Sequence, residues 1–355
     1  MPSISQIETP TTLPVETDPI ALSKEKAKAF AVKPTVEIAS SHGDWRDDLF
    51  NHGFAVVTDA VPQERCDYYI QSMYNWLEKF PFGFKKNDKS TWTPENLPAN
   101  MKGGMYHAYR VQHEKFVWEA RMEPGVLSAF SKLWGTDKLL ASFDGINFTL
   151  PTASRTPWEP WPHIDQSPHR LGLQCVQGII NFSENGPKDG GLTVLKDSHK
   201  FTEEYFSCHD TEQVTWNTGG DWHGFSPEDI SWFKNKGCKE IKVCCGPGDL
   251  LIWDSRTIHY NVCPEGDQTR ALVYACYAPA KFAKKGTLEK KAKFFEERRG
   301  TTHWPHDNIF LSVYSPPTRL GKEDSYNRDC PFAEPEISDQ LLRLAGVLPY
   351  DEQNS

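Results

Sequence analysis

The sequence predicts a mainly β fold with flanking α-helices, built on a double-stranded β-helix (a jelly roll, cupin-like in form). Three observations predict it. From about Leu139 onward, short runs rich in β-branched and aromatic residues recur between turn residues. Before them, apolar residues keep helical spacing instead. Candidate metal ligands also stand far apart in the chain, near the ends of two of the short runs, as a rolled antiparallel sheet would bring together.

Residues 1–40 are rich in Thr, Pro, Glu and Ser and read as a flexible arm, with a helical turn expected at 23–30. One domain is expected over 41–355, its ordered part starting near Asp44. A short helix follows, stopped by Gly53, and Ala55 to Val57 read as a buried strand. Pro62 opens the strongest helix, over 62–80, where Cys66, Ile70, Met73, Trp76 and Leu77 recur at helical spacing. Residues 81–116 are aromatic and glycine-rich with little periodicity, and 123–135 read as a helix ending in glycine. Strands are expected within 145–150, 173–182, 192–196, 241–245, 249–254 and 271–278. The stretch 200–239 is long for a sheet connection and carries Trp216, Trp222 and Trp232, so it reads as a lid-like insertion. A surface decoration with a small helix at 226–235 explains it equally well. A late helix over 288–300 begins a helical C-terminal extension.

Composition excludes several classes of function. The net charge of −9 argues against a nucleic-acid binder. No apolar run approaches the roughly 18 residues of a membrane helix. The N-terminal segment lacks a basic start and an apolar core, and the C-terminal DEQNS is not a peroxisomal address, so a cytoplasmic protein is expected. Nine cysteines, an odd number without CxxC spacing, read as reduced thiols rather than a disulfide framework.

The chemistry starts at 161–170, WPHIDQSPHR. At the start of a strand, period-2 alternation turns His163 and Asp165 to one face, as two ligands of one metal require. By itself an HxD pair is weak, because the chain has twelve histidines. The third ligand is offered by GDLLIWDSRTIHYN, where a turn opens an apolar run and His259 stands near its end. Two histidines and one carboxylate form the facial set of non-haem Fe(II) oxygenases, which leaves three positions for cosubstrate and O2. A keto-acid cosubstrate needs a fixed cation for its far carboxylate. Arg270 lies eleven residues past His259, and a hairpin through 261–269 would return it beside the metal. We therefore expect Arg270 to hold 2-oxoglutarate.

At these residues the sequence resembles the phytanoyl-CoA dioxygenase family of Fe(II)/2-oxoglutarate oxygenases, over roughly 44–280. LFNHGFAVVTDAVPQERCDYYI (49–70) resembles the family's opening helix–strand–helix. NGPKDGGLTVLKDSHK (185–200) and 247–279, with the second His and the Arg, resemble its later motifs. The resemblance implies His163, Asp165 and His259 as iron ligands and Arg270 as the 2-oxoglutarate anchor. It also implies Thr193, and more weakly Asn261, as cosubstrate contacts. The usual PGSH turn reads KDSH here, and His199 is taken as structural. The activity implied is oxidation, by default hydroxylation, of a small molecule with release of succinate and CO2. Residues 102–110, Trp158 and Trp161 are candidate pocket walls, or else core between helix and barrel. Two rivals stand beside this reading: a cupin-like metalloenzyme without 2-oxoglutarate, and a non-catalytic binding jelly roll.

Overall fold

The computed structural model describes residues 41–151, 157–209, 220–307, 309–313 and 315–350. The expected arm, its helical turn at 23–30, and Trp216 lie outside the described residues.

The chain opens with α1 (Trp45–His52), whose N-cap Asp44 accepts the Arg46 N–H. Gly53 ends it at φ 85°, with its N–H on the Leu49 carbonyl. A side chain at Gly53 would also collide with His199, whose Nδ1 would be 2.6 Å from an added Cβ. Strand β1 (Phe54–Val57) leads into α2 (Gln63–Glu78), which buries Cys66, Tyr69, Met73, Trp76 and Leu77 on one stripe. Each such large apolar side chain contributes about 1.5–3 kcal/mol on burial. A short strand β2 (Met105–Tyr106) precedes α3 (Lys115–Arg121), a helix the sequence reading did not contain. Next comes α4 (Pro124–Trp134), closed by left-handed Gly135.

The strands follow: β3 (Leu139–Ala141), β4 (Ile146–Thr149), β5 (His163–Ile164), β6 (Val176–Asn181) and β7 (Gly191–Lys196). After α5 (Thr202–Cys208) come β8 (His223–Gly224) and α6 (Pro227–Asn235), the latter with a Ser226–Asp229 capping box. Then come β9 (Lys239–Lys242), β10 (Leu250–Asp254), β11 (His259–Val262) and β12 (Arg270–Pro279). The helix expected at 288–300 is α7 (Lys285–Glu296), and α8 (Asp339–Leu344) buries Leu341 and Leu344.

Two antiparallel sheets face each other. Among the described residues the larger runs β1-β10-β6-β12-β4-β2, with β3 beside β12, and the smaller runs β8-β5-β11-β7-β9. Alternation on the larger sheet explains both layers of core. Leu250, Ile252, Ile180, Val273 and Ala275 point out to the helices. Leu251, Trp253, Ile179 and Leu272 point in, and meet Leu192, Val194 and Val243 of the smaller sheet.

One expectation is corrected here. Arg270 does not return on a hairpin beside β11. Strand β11 pairs with β5 and β7, whereas β12 pairs with β4, β6 and β3, so the connection crosses from one sheet to the other. Arg270 thus faces His259 across the space between the sheets rather than from a neighbouring strand.

The described part of 200–239 is woven into the smaller sheet. Strand β8 pairs with β5 at His163↔Gly224. Tyr205, Phe225 and Phe233 cover the outer face of the ligand-bearing strands, packing on Ile164, Leu195 and Ile258. Asp221 accepts from the Ser167 N–H and the Arg170 side chain, clamping the turn just past Asp165.

Candidate metal centre

His163 and Asp165 flank Ile164. Ile164 turns outward into the aromatic cluster, so its two neighbours turn inward. Strand pairing sets His259 directly opposite His163, with ring centroids 4.4 Å apart. The Asp165 Oδ2 lies 3.6 Å from His163 Nε2 and 3.2 Å from His259 Nε2. One ligand atom from each residue falls within 4.8 Å of the others, and all three residues are buried.

The tautomers are prepared for a metal. His163 Nδ1 is 2.7 Å from the Trp161 carbonyl and His259 Nδ1 is 2.9 Å from the Thr257 carbonyl. A carbonyl only accepts, so each Nδ1 carries a proton, and each Nε2 is the ring atom turned to the centre. Burial alone would push the Asp165 carboxyl up, but His303, His163 and His259 outweigh it and hold it well below the usual carboxylate range. Burial, with His163 close by, pushes His259 down, which keeps it neutral. Asp165 is further held by the Gln177 amide, which donates to Oδ2 at 3.0 Å, and by its own N–H on the Ser255 carbonyl at 2.9 Å. Trp161 stacks on His163, and the half-exposed Trp222 stands at 6.2 Å from the same ring.

These groups open onto a cavity of about 290 Å³ between the sheets. Arg270 lines it from the larger sheet, only 5% exposed. Among the described residues no carboxylate pairs with it. Its guanidinium lies against Gly191 (φ 95°), where an added Cβ would come within 2.9 Å of Nε. A buried, unpaired cation facing an apolar-walled cavity is a site for an anion. Met101, Met105, Ile179, Leu192 and Trp253 supply much of the apolar wall.

The structure therefore brings together His163, Asp165, His259 and Arg270. Asn261 also lines the cavity, with its side-chain oxygen buried and without a partner. Thr193 does not line it. Thr193 pairs with Tyr260 between the inward-facing Leu192 and Val194, so alternation turns it to the opposite face. His199 packs beneath α1, its Nε2 3.2 Å from the Phe50 carbonyl, away from the cavity. Trp161, Met105 and His107 reach the cavity wall, whereas Tyr106 and Tyr109 are core.

Among the polar wall residues, Gln177 escaped the sequence reading, and His303 was one of several histidines it left without a role. Gln177 is, with Asn181, a polar residue in a fully buried and mostly apolar strand, and that exception was its signal. His303 lines the cavity near Asp165, but the segment around it has no periodicity to read. The donor set fits iron: two imidazole Nε2 atoms and one carboxylate form a single face, with second-layer hydrogen bonds in place. The unpaired Arg270 fits the far carboxylate of 2-oxoglutarate.

Comparison with known proteins agrees in family and fold. Residues 50–261 match the family model described as phytanoyl-CoA dioxygenase (PhyH). The chain is 45% identical over 268 residues to the "Ava biosynthesis cluster protein O" of Aspergillus versicolor, covering 75% of this chain and 87% of that protein. The crystal structure of the GlcNAc-inducible gene 2 product of Candida albicans superposes with a TM-score of 0.59 at 13% identity, covering 94% of this chain and 84% of that one. A hypothetical protein of Escherichia coli gives 0.52 at 15% identity, covering 86% and 82%. The two structural likenesses concern the fold alone.

Proposed function

The chain belongs to the phytanoyl-CoA dioxygenase family of iron- and 2-oxoglutarate-dependent oxygenases, and from that premise we propose that it hydroxylates a C–H bond of a small organic molecule. In this reading His163, Asp165 and His259 hold the iron, and Arg270 pairs with the far carboxylate of 2-oxoglutarate. Asn261 is a further cosubstrate contact in the cavity wall. The name of the Aspergillus versicolor relative supports small-molecule biosynthesis as the setting, and we place the enzyme in the cytoplasm. Among the described residues no helix is long and apolar enough to cross a membrane.

With O2, the bound iron and 2-oxoglutarate supply the oxidising power, giving succinate and CO2 as the substrate is oxidised. The chain's own residues prepare that chemistry. Asp165 keeps its negative charge through its histidine neighbours, and so presents an anionic donor without a proton to lose. The backbone carbonyls at Trp161 and Thr257 lock both imidazoles in one orientation. Gln177 fixes the carboxylate rotamer. Met101, Met105, Leu192 and Trp253 keep water from the reacting centre. A carboxylate at 165 also fills the place a halide would need, which favours oxygenation over halogenation.

The observation that carries this reading is the buried His–Asp–His face opposed by an unpaired buried arginine in one cavity. The test is a screen of small molecules with Fe(II), 2-oxoglutarate and O2, read as succinate and an oxygenated product. A turned-over compound should give both in equal amounts. His163→Ala and Asp165→Ala should abolish turnover while far-UV circular dichroism stays native. Full turnover by either variant would defeat the metal assignment.

A further inference from the structure

A second cavity, of about 200 Å³, adjoins the first. His107 and Ser312 line both, so the two share a wall. The character changes across that shared wall. The second cavity is lined by Arg110, Arg299, Asn327, Asp329 and Ser315 rather than by methionines and tryptophan.

Two cations thus converge on one partly buried space. Arg110 sits at φ 60°, directly after Tyr109 at φ 59°. Two successive non-glycine residues in the left-handed region are costly, and such strain persists where the surrounding structure imposes it. Here it delivers the Arg110 side chain to the cavity. Arg110 Nε is buried without a partner. Its Nη2 reaches Asp329 at 3.2 Å, but Asp329 is fully exposed, so that pair is weak and exchangeable. Among the described residues Arg299 has no ion pair. Burial and the charge of Arg299 together push Arg110 down, the sign of a cation short of counter-charge.

We propose that this second cavity is the anion-binding subsite of the oxidation site, where Arg110 and Arg299 hold a carboxylate or phosphate monoester carried by the substrate. Arginine suits both groups through its planar fork of donors. The substrate then has an apolar body, held by the first cavity, and an anionic arm reaching past His107 and Ser312. This inference rests on the oxygenase reading above for the identity of the first cavity. The anion site itself uses none of the metal or 2-oxoglutarate residues.

The test is calorimetric titration of the full chain, loaded anaerobically with Fe(II) and 2-oxoglutarate. The probes are phenyl phosphate, benzoate, benzyl alcohol and inorganic phosphate. At least one ring-bearing anion should bind, and more tightly than both benzyl alcohol and inorganic phosphate. Arg110→Gln and Arg299→Gln should each raise its Kd at least tenfold, and Asp329→Asn, which removes the competing carboxylate, should lower it. The visible absorption of the Fe(II)–2-oxoglutarate chelate should persist in all variants, showing an intact first cavity. Equal binding of benzyl alcohol, or an unchanged Kd in the double variant R110Q/R299Q, would overturn the subsite. Equal binding of inorganic phosphate, with the same arginine dependence, would overturn a substrate-borne anion in favour of a free one. Absence of the chelate absorption in the wild type would count against the iron reading alone, since the anion titration is read independently of it.

Discussion

Replacing Arg270 by glutamine isolates the proposed cosubstrate anchor. The guanidinium is 5% exposed and no carboxylate of the described residues neutralises it. In the cosubstrate-free protein it is therefore a buried cation whose side-chain partner is the neutral Tyr274 rather than a carboxylate, and removing it relieves an uncompensated charge. We expect Arg270→Gln to keep or raise the melting temperature. Binding of 2-oxoglutarate should suffer instead. A bidentate arginine–carboxylate contact contains two charge-assisted hydrogen bonds, each worth roughly 1.5 kcal/mol or more. Losing both costs about 3 kcal/mol, or about 100-fold in Kd. Arg270→Lys keeps the charge but not the fork, and should fall between. The assay is anaerobic calorimetry of 2-oxoglutarate into the Fe(II)-loaded protein, with a thermal melt of each variant. A Kd for Arg270→Gln within a few-fold of wild type would refute the assignment. A melting temperature lowered by many degrees would refute the argument that the cation stands uncompensated.

Three further outcomes follow from the same geometry. Gly191→Ala places a Cβ 2.9 Å from Arg270 Nε at a φ of 95°, so thermal unfolding should show a loss of about 1–2 kcal/mol and kinetics a raised KM for 2-oxoglutarate. Gln177→Leu removes the amide that donates to Asp165 Oδ2, and Fe(II) affinity measured by competition with a chelator should fall about 10–100-fold. His306 is buried and pushed down to about 4, burial being the leading cause. The unfolded chain then binds a proton near pH 6.5 that the folded chain refuses, so the contribution is complete above pH 6.5 and is lost as pH falls toward 4. It amounts to roughly 3 kcal/mol. Denaturant titrations from pH 7 to 4 should show that decline, shallower in His306→Gln.

Much of the fold was legible because its signals are local. Gly53 and Gly135 stop α1 and α4 where the sequence says they must, since both hold a left-handed conformation. The HxD alternation was equally local: one strand residue, Ile164, separates the two inward ligands. The path from His259 to Arg270 was not. Its turn residues suit a hairpin, and only the pairing of β12 with β4 and β6 decides that it crosses to the other sheet. The cation reaches the cavity by either path, and only the route differs from the one expected. Thr193 stands off the cavity wall for a related reason. A motif match fixes its strand but not its face, and alternation between the inward Leu192 and Val194 turns it away. His303 and the arginine pair at 110 and 299 come from segments whose placement depends on distant contacts rather than on periodicity.

The most direct measurement of the central claim is visible absorption of the metal-free protein titrated anaerobically with Fe(II) and then 2-oxoglutarate. The account predicts that Fe(II) alone gives no visible band, that 2-oxoglutarate brings up a weak one, and that His163→Ala and Asp165→Ala fail to develop it. Fe(II) bound by the wild type without any band would contradict the keto-acid chelate. A full band in either variant would contradict the metal site built from His163, Asp165 and His259.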